Sequence, residues 1–335
     1  MAWEENSRIC LHMQLIAILS RIGVLYDHTE TYYIGKNAII TDLYVTDALY
    51  LFFIISGYFI YKPNGEVCVK HKIKSILRTL IIPYFIFTTA MAIPKAVANG
   101  RELDLIGITT NILTGQASWF VAALAVAEIL FISTLKIVRG NIKWMLAVCT
   151  TTFIASIWLS TVTSYCFWQI DNALMAMLFL LIGYAYHKYE PNIRNDIKWI
   201  VVCLLAFVFL KIYVVRADIT LTIWHINISN YVVFAANVVI GCLAMFGLFR
   251  NLPSCRMLEW IGKHSLVYYF LCGGVPLLVS KLAAHVGFYY NNSHVRVFVA
   301  FAIVLIVSTI LTWTIYRYIP FVTGRSRSNR QWIVG

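Results

Sequence analysis

Apolar residues in this chain run in blocks, without the three-and-four spacing of a soluble amphipathic helix. Ten blocks stand out, at 9–26, 43–61, 78–97, 118–135, 144–162, 170–186, 199–215, 229–249, 261–284 and 297–316. Most approach the roughly 20 residues that a helix needs to cross the hydrocarbon core of a bilayer. The pattern therefore predicts an all-α polytopic membrane protein with about ten transmembrane helices. Two connecting stretches, 27–42 and 98–117, are long enough to fold over a bound molecule. A third, residues 216–228 (RADITLTIWHINI), alternates polar and apolar positions and is expected to lie along the interface.

Composition agrees with this pattern. Of 335 residues, 60% are hydrophobic and 13% charged, and the mean hydropathy is +0.75. That leaves too little polar surface to clothe a soluble protein of this length. The opening MAWEENSRIC is acidic where a secretory leader would be basic, so the first apolar block is expected to stay as a membrane helix. The eight cysteines form no C-x-x-C pair, and most lie inside apolar blocks. There they act as small hydrophobes and are assigned neither to disulfides nor to a metal.

The net charge of +12 changes the picture only once it is placed along the chain. With a cytoplasmic N-terminus, nineteen lysines and arginines fall on the inner side and seven on the outer, with Arg21 inside the first block. This is the positive-inside asymmetry of a membrane protein, and it removes nucleic acid from the expected partners. Both termini are then cytoplasmic, in the cell (plasma or inner) membrane. No soluble domain and no internal repeat is visible, which weakens a transporter built from inverted repeats. The chain is read as one domain, 1–335, with a core at 8–318 and a basic tail at 319–335.

Chemistry enters with a few short segments. LFFIISGYFIYK (51–62) carries Ser56, Gly57 and Tyr58 within an oily helix. Small residues there let a second backbone come close, and a serine can bond across helices. KHKIKSILRTLIIPYFIF (70–87) is a basic run that leads into a helix through Pro83-Tyr84. ASWFVAALAVAEIL (117–130) starts a helix with Trp119-Phe120 and buries Glu128. An ionisable group at such depth costs several kcal/mol unless paired, with Arg21 near enough in depth to be its partner. LMAMLFLLIGYAYHKYE (174–190) contains Gly183, and LEWIGKHSLVYYFL (258–271) contains Ile261, Gly262, Ser265, Leu266 and Tyr268. Asp47 and Asp171 sit at the outer ends of blocks, where carboxylates stabilise helix N-termini or touch a sugar.

In this order, and on ten blocks, the segments resemble the acyltransferase family 3 membrane proteins, over about residues 8 to 318. The resemblance implies transfer of an acyl group, usually acetyl, from acyl-CoA to a hydroxyl of a glycan or lipid-linked sugar. Acyl-CoA is then a co-substrate, and no resident cofactor is expected. Lys74 and Arg78, in the densest basic cluster, would meet the CoA anion; the same cluster also serves as a topology signal. The resemblance implies a first-helix histidine as general base. The family's usual spacing from arginine to histidine is absent: eleven places after Arg8 stands Leu19, and Arg21 lies seven before His28. A local shift makes His28 the base and Arg21 its helical partner, and otherwise His28 is an interfacial histidine; Glu128 is either catalytic or a structural ion-pair partner of Arg21. Ser56, Gly57, Tyr58 and Trp119 serve substrate or packing, and Cys272 is read as a packing residue before Gly273-Gly274, with an acyl-carrying thiol as the alternative. A polysaccharide exporter or a structural subunit on the same scaffold are the competing readings.

Overall fold

The computed structural model describes residues 22–35, 43–63, 68–98, 100, 103–194, 196–251, 260–262, 264–291 and 293–324. It is a helical bundle. Helix α1 covers residues 22–34, and α2 is Val45–Ile60. A short α3 (Val69–Ile76) passes through a π-helical turn, Leu77–Ile81, into α4 (Ile82–Ala98). Then come α5 (Leu105–Leu113), α6 (Trp119–Ile137), α7 (Ile142–Val162), α8 (Ile170–Tyr189) and α9 (Ile197–Arg216). A two-stranded hairpin, β1 (Leu221–Ile223) and β2 (Ile226–Ile228), precedes α10 (Tyr231–Arg250), α11 (Ser265–Leu271), α12 (Val275–His285) and α13 (His294–Tyr318).

Among the described residues, seven helical runs are long and apolar enough to cross a membrane. They coincide with the predicted blocks from 78–97 to 229–249 and with the last. The block at 261–284 is broken, since α11 and α12 meet at 49° across Cys272–Gly274. Helix α2 is apolar but only 16 residues long. Most of the first block lies outside the described residues. Stretch 27–42 is partly helical, because α1 continues to residue 34, and stretch 98–117 holds α5.

Short polar residues start these helices. Asn141 accepts from Lys143 N and Trp144 N to open α7, Asp196 from Trp199 N to open α9, and Asn230 from Val232 N and Val233 N to open α10. Each satisfies backbone donors that the first helical turn leaves unpaired. Alternation in 216–228 becomes the antiparallel hairpin, with Leu221 opposite Ile228 and Ile223 opposite Ile226.

Helix α8 is the centre, packing against α2, α6 and α7. Its closest approach is to α2, and two glycines make it possible. A Cβ on Gly57 would lie 2.0 Å from the Leu180 carbonyl oxygen, and one on Gly183 would lie 1.8 Å from that of Ile54. Each helix therefore seats its glycine on the other's backbone, the small-residue contact expected where lipid supplies no hydrophobic drive. Helices α7 and α9 stay peripheral and turn Trp144, Trp158, Val201 and Phe209 outward, as suits a lipid-facing surface.

Two polar locks hold this packing. Tyr58 Oη donates to Glu190 Oε2 (2.7 Å), and Arg250 Nη1 reaches Glu190 Oε1 (3.2 Å). The His187 ring lies flat on Tyr58 at 3.9 Å, so α2, the end of α8 and the end of α10 are joined. At the opposite end of α2, Lys211 Nζ lies 2.7 Å from Asp47 Oδ2, and Asn237 Nδ2 donates to Asp47 Oδ1 (2.8 Å). Charge placement along the sequence counts Lys211 on the outer side and sets Asp47 at an outer helix end. They form an inward-facing ion pair, because a buried carboxylate is tolerated only with partners.

Candidate functional site

The described bundle holds a cavity of about 340 Å³. His28 and Tyr32 of α1, Thr88, Met91 and Lys95 of α4, Asn111 of α5, Ser118 and Trp119 at the start of α6, Trp224 of the hairpin and Cys272-Gly273 of the α11–α12 turn line it. Residues far apart in sequence converge because the intervening segments are pinned. Tyr84 Oη donates to the Ile112 carbonyl (2.8 Å), which fixes α5 on α4. Trp168 N donates to the Thr114 carbonyl and its Nε1 to that of Leu113, at 2.8 and 3.0 Å. Gln169 Nε2 donates to Gln116 Oε1 (2.7 Å). Gly115, at φ +83°, has no room for a side chain, since its Cβ would stand 2.8 Å from Trp168 Cα. The α5–α6 connection is thus clamped to the α7–α8 connection, and Ser118 and Trp119 are carried to the cavity wall.

The walls combine aromatic faces with hydrogen-bonding groups. Trp119 and Trp224 stack at 5.6 Å and 17°, while Phe87 and Phe270 stack at 4.9 Å and 8°. The His28 ring lies roughly parallel to Tyr32 at 6.1 Å. No hydrogen bond to the imidazole occurs among the described residues, so its nitrogens face the cavity uncommitted. Aromatic faces with scattered hydroxyl and amide groups suit a sugar ring, and an imidazole beside them suits proton transfer.

A second polar cluster sits deeper. Ser56 Oγ donates to Glu128 Oε1, and Lys72 Nζ lies 3.2 Å from Glu128 Oε2. Both Glu128 oxygens are therefore engaged by α2 and α3. Arg21, the expected partner, lies outside the described residues. Lys72 turns inward, whereas Lys70, Lys74 and Arg78, spaced four apart, are exposed along one face of α3 and the π turn. Such turns recur at functional sites. The last described residue, Gly324, rests on this one: its Cβ would lie 2.1 Å from the Arg78 carbonyl oxygen.

The structure thus brings His28 and Trp119 together on the cavity. It places Ser56 with Glu128, gives Gly57 to the α2–α8 crossing and Tyr58 to the Glu190 lock, and puts Lys74 and Arg78 toward the other end of the α3–α4 run. Sequence reasoning missed Lys95 and Trp224 on the cavity and Lys72 on Glu128. Lys95 fell in the topology count, although it lies within the 78–97 block, and Trp224 gave only the alternating signal of its segment.

Glu128→Gln is expected to lower stability by about 1–2 kcal/mol, discounted for the part-exposed Lys72 that it strands. Adding Lys72→Met should recover most of that loss. Thermal unfolding in detergent, with acyl transfer measured in parallel, checks it. Recovery of both quantities marks a structural pair, and recovery of stability alone marks Glu128 as part of the chemistry.

Residues 15–317 match the family model described as an acyltransferase domain. No curated protein and no solved structure matches the chain.

Proposed function

The chain belongs to this acyltransferase family, and we propose that it moves an acyl group, most simply acetyl, from acyl-CoA to a hydroxyl of a cell-envelope or exported polysaccharide. One observation carries the reading. His28 opens onto an aromatic and polar cavity near one end of the α3–α4 run, whose other end presents Lys70, Lys74 and Arg78. Arg78 and Thr88 are ten residues apart on that run, about 15 Å along a helix, a span suited to the long pantetheine arm. In the cell membrane, with both termini cytoplasmic, the basic face would take CoA from inside and the cavity would open to the outside.

In this mechanism the acceptor sugar lies against Trp119 and Trp224. His28 removes the hydroxyl proton as the oxygen attacks the thioester carbonyl carbon. Ser118 steadies the resulting oxyanion by hydrogen bonding. The tetrahedral intermediate collapses to the ester, the C–S bond breaks, and the CoA thiolate leaves and takes the proton held by the imidazolium. Glu128 acts through Ser56 and Lys72 as a positioning residue for α2, α3 and α6.

The test uses the purified chain in vesicles with acetyl-labelled acetyl-CoA and envelope polysaccharides. Label in ester linkage on the glycan, released by mild base, is the expected result. Glycan crossing the vesicle membrane without acyl-CoA and without label would replace this reading with export.

A further inference from the structure

We infer that the cavity selects an acidic acceptor, and that Lys95 is the residue that reads its negative group. The inference deepens the acyl-transfer proposal and rests on it for the identity of the bound molecule as acceptor. It starts from how this bundle treats its lysines. Lys72 and Lys211 turn inward, and each meets a carboxylate, Glu128 or Asp47. Lys95 also turns inward and lines the cavity, yet it makes no hydrogen bond or ion pair among the described residues. A half-buried ammonium without a counter-charge is unfavourable until an anion joins it.

The ammonium rests against a break in the neighbouring helix. Met91 and Lys95, one turn apart on α4, lie over the break between α11 and α12. A Cβ on Gly274 would be 1.8 Å from Met91 Cε, and one on Gly273 would be 2.5 Å from Lys95 Nζ. The two glycines thus leave the space that the two α4 side chains fill. The same cavity is lined by the paired indoles of Trp119 and Trp224 and by Asn111 and Ser118. A sugar ring set on the indoles would present a carboxylate or phosphate substituent to Lys95 and a hydroxyl to His28. The counter-charge that Lys95 lacks among the described residues would then be supplied by the substrate.

The experiment is binding without any acyl donor, using the full chain in nanodiscs and titration calorimetry. The probes are a glucuronate-containing oligosaccharide, the same oligosaccharide with its carboxyl groups reduced to alcohols, and a hexose 1-phosphate. The acidic oligosaccharide or the phosphate should bind about tenfold or more tightly than the reduced twin, the range of a charge-assisted contact. Which of the two does so tells carboxylate from phosphate. Lys95→Met should abolish the preference and leave the reduced twin unchanged, and Lys95→Arg should keep it. Gly273→Ala, which displaces the ammonium without removing it, should reduce it. Equal affinities for all probes, no measurable binding of any, or a Lys95→Met loss shared by the neutral twin would overturn the inference. So would a Lys95-dependent affinity for coenzyme A alone. Lys95-dependent binding without acyl transfer would sink the proposed reaction, and with it the word acceptor, but leave the anion selectivity of the cavity standing.

Discussion

Gly183→Ala is expected to yield little folded protein, and Gly57→Ala to behave in the same way. The added methyl carbon at 183 would stand 1.8 Å from the Ile54 carbonyl oxygen and 2.8 Å from Tyr58 N. These are backbone atoms, so no side chain can swing aside, and α2 and α8 must separate. Separation would open the fully buried contacts of Tyr50, Phe53 and Phe179 and pull Tyr58 from Glu190. Overpacking costs about 1–3 kcal/mol where neighbours relax, and loss of the buried hydrogen bond adds about 1–3 kcal/mol more. Gly247→Ala is the control, because its Cβ would meet the Ile200 side chain at 3.0 Å, and that can give. Size-exclusion profiles and thermal unfolding in detergent check the order. A Gly183→Ala protein that melts with the wild type would show that the α2–α8 crossing is looser than described.

As the proposed general base, His28 replaced by alanine (His28→Ala) is expected to lower the acyl-transfer rate by about 10²–10⁴-fold. The imidazole makes no hydrogen bond among the described residues, so its removal should leave the melting temperature near that of wild type. That separation makes the test clean. Single-turnover transfer from labelled acetyl-CoA isolates the chemical step, with KM for the acceptor measured alongside. A drop below about tenfold in a well-folded variant would remove His28 from the base role. A rise in KM with an unchanged chemical rate would make it a binding residue instead.

The spans were the easiest part to read, because a long apolar run leaves few alternatives in lipid. The Ser-Gly pair at 56–57 was half legible. Glycine in such a helix signals a close neighbour, but nothing local names Leu180 as that neighbour. Tyr58, next in the same motif, gives its hydroxyl to Glu190, more than a hundred residues away. Lysines were the hardest to place. Lys72 looks like its neighbours Lys70 and Lys74, yet helical phase turns it toward Glu128 while they stay exposed. Lys211 and Lys95 lie about one turn inside helix ends, where a topology signal and a buried partner look alike in sequence. His28 and Trp119 could each be picked out alone. Their meeting depends on the clamp at Gln116, Trp168 and Gln169, and on the broken helix at Gly273-Gly274, which only the fold displays.

The central place of α8 bears on how the chain is made. Ribosomes deliver α2 first, with its short length, Asp47 and Ser56, about 110 residues before α8 begins, or roughly 5–20 s at ordinary elongation rates. Throughout that interval Gly57 has no backbone to rest on and Tyr58 no carboxylate to meet. The contacts that seat α2 therefore form only once α8 has emerged, and the second half of the polypeptide completes the first.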